Sequence, residues 1–138
     1  MTDQHDLCPT GLTRQQHQQL TVYAQQAAQL TGPALWQAVE HHLVAIAAVH
    51  AQNPLVNLRL ATAIRDVIEH VLSAWDNLPP AARIWLAGAM LYFAKSNDDE
   101  PDFTSPIGFE DDAEILNACL RLAHLGALCL HPEDYDDV

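Results

Sequence analysis

Carboxylates are concentrated in one stretch of this chain, where eight Asp and Glu residues lie in the seventeen positions from Asp98 to Glu114. The stretch reads DDEPDFTSPIGFEDDAE and is interrupted by Pro101, Pro106 and Gly108. Carboxylates in a turn stiffened by proline can cap helices, bind a hard cation, or present a negative face to a basic partner. The sequence leaves these three interpretations open.

The first interpretation is structural. Four acidic residues fall in the first turn of a predicted helix, at Glu110, Asp111, Asp112 and Glu114. A negative charge there is stabilised by the positive end of the helix dipole, by about 0.3–1 kcal/mol when exposed. Asp98 and Asp102 would hydrogen-bond to the backbone of the turn.

The second interpretation is a site for a divalent cation, which is the one cofactor that this pattern suggests. Its oxygen ligands would come from Asp98, Asp102, Asp111 and Asp112. Counted from Asp98, the calcium-loop template fails, because Phe103 stands where Gly is needed and Phe109 where Glu is needed. A cation site here would therefore be irregular.

The third interpretation is a binding surface for a basic protein. Its candidate residues are Asp98, Asp99, Glu100, Asp102, Glu110 and Asp111. The chain holds 18 acidic residues against 6 Lys and Arg, for a net charge of -12. Thirteen of the acids lie in residues 76–138. This balance argues against direct binding of nucleic acid or an anionic membrane. It favours a basic partner or a cation, or it serves only solubility, which is the commonest reason for such a charge.

The same stretch carries a family resemblance. The residues that carry it are Tyr92-Phe93, Asp98, Pro101-Asp102-Phe103, Gly108 and Asp111-Asp112-Ala113. In this spacing the chain resembles the YkvA-like bacterial family, a small helical domain of unknown function, from Tyr92 to about Leu120. The resemblance implies two helices joined by a turn in which the paired Asp opens the second helix. It implies no activity.

The chain departs from the family pattern at several positions of the turn. Lys95-Ser96 stands where the family has Ser-Pro, and polar residues replace family hydrophobics at Asp99, Glu100, Thr104 and Ser105. We therefore expect Asp99 and Glu100 to contact a partner. The acids that match the family would instead hold the shape of the turn.

Other residue types offer little catalytic chemistry. The eight histidines form no HExxH motif, and no GxSxG or Gly-rich phosphate loop is present. Asp66 and His70 are four residues apart and could share a metal, but a solvated hydrogen bond is the commoner outcome. His41 and His42 are expected to be a surface and a boundary residue. We expect a protein that is not an enzyme.

Apolar periodicity predicts an all-α single domain, an irregular bundle of about five helices with the fourth helix central. The predicted helices are Thr13–Leu30, Pro33 to before Asn53, Pro54–Trp75, Pro80 to about Lys95, and about Glu110 to Leu130. The glutamine-rich first helix is expected to be the least firmly held. Gly32 is expected to close it, and Gly88 to permit close approach of a neighbour to the fourth helix.

The domain is predicted to span residues 1–138, with a short flexible N-terminal tail (1–10) and an acidic C-terminal tail (131–138). The N-terminal residues lack a signal-peptide pattern, and no apolar run is long enough for a membrane span. Cys119 and Cys129 are expected on one helix, too far apart for a disulfide. Few cysteines and no leader predict a cytoplasmic protein.

These observations favour a non-enzymatic acidic helical protein that binds a protein partner, most simply a basic one. A concrete form is a small bacterial inhibitor or immunity-type protein. The alternative is a divalent-metal-binding protein or metal-dependent enzyme that uses the carboxylates of residues 98–114. A third hypothesis is a homo-oligomer that associates through an apolar helix face.

Overall fold

A computed structural model describes residues 9–52, 58–95 and 110–131 of the chain. Over these ranges the protein forms five α-helices and no β-strand, which confirms the predicted all-α fold. The helices are α1 (Arg14–Ala27), α2 (Gly32–Gln52), α3 (Leu58–Ser73), α4 (Pro80–Lys95) and α5 (Glu110–Leu122). Short 3-10 turns follow α3 at Trp75–Asn77 and α5 at Gly126–Leu128. In these ranges, no helix combines the length and apolar content that crossing a bilayer requires.

The central helix is α4, as the sequence predicts. It packs against α1, α2 and α5. Its buried apolar side chains are Ala81, Ala82, Leu86, Ala87, Ala89, Met90, Leu91, Tyr92 and Phe93. No charged residue lies between Arg83 and Lys95, so neighbouring helices can cover most sides of α4 without burying a charge.

The closest helix contact joins α1 to α4. A Cβ atom added to Gly88 would lie 2.9 Å from the backbone of Ala24, so glycine is what allows the two helices to approach. The narrow stripe of Leu20, Ala24 and Ala27 is buried against this surface. The expectation that α1 is the least firmly held helix is wrong, because small facing residues give it the most extensive contact with α4.

α1 begins with the capping box that the sequence indicates. The amide of Gln16 donates to Oγ1 of Thr13 at 3.0 Å, and the amide of Thr13 donates to Oε1 of Gln16 at 3.0 Å. Two amides that the helix itself leaves without acceptors are satisfied in this way. The first turn of α1 is therefore well defined.

α2 begins one residue before the predicted start. Thr31 caps it, since Oγ1 of Thr31 accepts from the amide of Ala34 at 3.2 Å. Gly32 lies inside α2 and does not close α1, so that part of the prediction is wrong. His42, expected at the boundary, is buried and packs edge-on against Phe93, with the ring centroids 5.1 Å apart.

α5 begins at Glu110 as predicted but ends at Leu122, eight residues before the predicted end. The amide of Leu125 donates to the carbonyl of Leu120 at 2.8 Å, and the amide of His124 donates to that of Arg121 at 3.1 Å. These two bonds and the positive φ of His124 (64°) form a Schellman motif. The sequence reading missed this end because the left-handed residue is His and not Gly.

Beyond α5 the chain folds back onto the helix. The side chain of Asn117 donates to the carbonyl of Leu130 at 2.7 Å and accepts from its amide at 2.7 Å. Cys129 therefore lies outside α5, and its Sγ donates to the carbonyl of Asn117 at 3.6 Å. The expectation that Cys119 and Cys129 share one helix is wrong for this reason.

Candidate functional site

The described structure includes part of the acidic segment. Asp98, Asp99, Glu100 and Asp102 lie outside the described residues. Glu110, Asp111 and Asp112 open α5, where carboxylates are favoured by the helix dipole.

Asp111 links α5 to α1. Nε2 of Gln16 donates to Oδ1 of Asp111 at 3.1 Å, and the Gln16 side chain is almost fully buried. Asp111 is exposed, so its carboxylate lies at the surface while one oxygen is held by a fixed donor. Gln16 thus has two roles. The sequence predicts its part in the capping box but not its bond to Asp111.

Asp112 points away from solvent. Its residue is 3% exposed, whereas the preceding Asp111 is exposed. Successive positions on a helix differ by about 100°, so these two carboxylates face different surroundings. Among the described residues, no group of three or more His, Cys, Asp or Glu side chains is arranged to hold a metal ion.

The solvent side of α5 continues the acidic surface. Asp111 and Glu114 are both exposed and three residues apart, which places them on the same helix face. Arg121, also exposed, reaches the N-terminal segment, where its guanidinium donates to the carbonyl of Thr10 at 3.5 Å. Residues 10–16 thus contact both ends of α5, since Gln16 bonds to Asp111 at the acidic start and Thr10 bonds to Arg121 near the C-terminal end.

Formal charge is divided sharply between parts of the chain. Residues 9–94 hold four arginines and four acids, namely Arg14, Arg59, Arg65, Arg83, Glu40, Asp66, Glu69 and Asp76. This part, which includes α1, α2, α3 and nearly all of α4, is neutral in formal charge. The excess of -12 therefore comes from residues 1–8 and from the chain beyond residue 94, where the stretch 98–114 contributes most.

Asp66 and His70 belong to no group of three or more potential metal ligands among the described residues. Asp66 instead forms an ion pair with Arg65, whose Nε lies 3.0 Å from Oδ1 of Asp66. Nη1 of the same arginine donates to Oε2 of Glu40 at 3.3 Å. Arg65 thus joins the charges of α2 and α3 at a half-exposed position.

Cys119 is a core residue and not a nucleophile. It is fully buried, and its Sγ donates to the carbonyl of Trp85 at 3.4 Å. Burial raises the pKa of the Cys119 thiol far above its usual range, and the nearby positive charge of Arg121 lowers it only in part. The thiol therefore stays protonated at neutral pH, which removes the nucleophilic form.

The surface of α2 is the feature that the sequence reading missed most completely. Val44 is 70% exposed, the largest value among the exposed large apolar side chains of the described residues. Its helix neighbours on the solvent side, Ala48 and Ala51, are also exposed. On α4 the exposed large apolar side chain is Ile84, whereas α2 carries the longer exposed apolar run.

No protein-family model, curated protein or solved structure matches this chain. The resemblance to the YkvA-like family stays a hypothesis, carried by the residues between Tyr92 and Ala113.

Proposed function

We propose that this protein is a non-enzymatic acidic helical protein that binds a basic protein partner through the segment 98–114. The observation that supports the proposal is the division of charge. Residues 9–94 are neutral in formal charge, whereas eight carboxylates lie in residues 98–114. Solubility alone would be served by acids spread over the whole surface, so this concentration favours a binding role.

The described start of α5 supports the proposal geometrically. Gln16 holds Asp111, and Glu114 lies one turn further along the same exposed face. α5 is packed against the central helix α4, so its acidic end has a fixed orientation. A negative face that is positioned before binding loses less conformational entropy when a partner docks.

The partner class follows from charge complementarity. Clustered carboxylates attract a surface rich in Lys and Arg and accelerate its association at low salt. A small acidic inhibitor or immunity-type protein that blocks a basic toxin or nuclease would use this chemistry. Asp99 and Glu100 are the residues that we assign to the partner contact, with Asp98, Asp102, Glu110 and Asp111 beside them.

Capture of the partner tests the proposal. The tagged protein should retain a basic protein from the cells that make it, and retention should fall as salt is raised, because exposed charge pairs are screened. Replacing Asp98, Asp99, Glu100 and Asp102 by lysine should abolish capture while the helical circular-dichroism signal is unchanged. Equal capture by the reversed variant would refute the assignment.

A further inference from the structure

We draw no further inference here: the strongest candidate, the side-chain cluster of Gln16 and Asp111 where α1 meets the acidic start of α5, belongs to the site already described, and the hydrogen bond between the two residues accounts for its geometry without a ligand.

Discussion

At the residue scale, the contact between Gly88 and Ala24 sets the distance between α1 and α4. An added Cβ would lie 2.9 Å from three atoms of Ala24, of which two belong to the backbone and cannot move aside as a side chain could. Gly88→Ala should therefore lower the free energy of unfolding by about 1–3 kcal/mol, despite the better helix propensity of alanine.

Urea denaturation measures this difference, with Gly126→Ala as the control. No atom lies within 4 Å of a Cβ added to Gly126, so that substitution should change stability little. Equal stability of the two variants would show that α1 and α4 are not in close contact at Gly88.

A second residue-scale prediction concerns the dependence of stability on pH. Burial raises the pKa of the Cys119 thiol in the folded protein, whereas the thiol of an unfolded chain has a pKa of about 8.5. The unfolded chain therefore loses this proton first, and the stabilisation present below about pH 8.5 decreases as pH rises. The contribution can reach about 1.4 kcal/mol for each pH unit.

Urea denaturation from pH 7 to 10 compares the protein with Cys119→Ala. The stability of the variant should fall less steeply above about pH 8.5, even though the lost packing lowers its value at neutral pH. Parallel curves would contradict a buried thiol at this position.

At the element scale, the end of α5 stores local strain. His124 adopts φ of 64°, a left-handed conformation that a side chain disfavours and glycine adopts readily. His124→Gly should raise the free energy of unfolding by about 0.5–1 kcal/mol, because the motif is kept and the strain is removed.

Thermal unfolding of His124→Gly and His124→Ala separates strain from loss of the imidazole. Both variants remove the ring, but only glycine relaxes the backbone, so only His124→Gly should gain stability. A similar gain in both would mean that the imidazole, and not the backbone, causes the strain.

Helix ends were predictable where a residue with restricted backbone geometry marks them. Pro80 starts α4 as predicted, because proline favours the first turn of a helix. The end of α5 was not predictable, because the residue in the left-handed position is a histidine. Glycine is the residue that normally marks such a helix end in a sequence. Gly32 was wrongly predicted to end α1. The side chain of Thr31 caps α2 and places this glycine inside that helix.

At the scale of the whole molecule, the candidate site was predictable in composition but not in its connections. The acidic stretch and the all-α class follow from the sequence directly. The bonds from Gln16 to Asp111 and from Asn117 to Leu130 were not foreseen, because they form only after the helices pack. The exposure of Val44 was missed because α2 is apolar on most of its surface, so its sequence does not mark which side is covered.

The carboxylate cluster should not act as a strong cation site. Asp111 and Asp112, the described members of the candidate ligand set, differ in exposure and lie on different sides of α5. Calcium, magnesium or manganese at about 1 mM should therefore leave the thermal unfolding temperature unchanged. A rise of several degrees that Asp98→Asn with Asp102→Asn abolishes would support the metal-binding alternative.

The central claim is that the concentrated acids, and not the net charge, bind the partner. Two double variants with the same change in charge distinguish localised acids from net charge. The first is Asp99→Asn with Glu100→Gln in the acidic segment. The second is Glu69→Gln with Asp76→Asn in the neutral part of the chain. Titration calorimetry with the captured basic protein is the most direct measurement. We expect the first variant to raise the dissociation constant by about three- to tenfold and the second to leave it unchanged. Equal effects of the two variants would contradict a localised acidic binding surface.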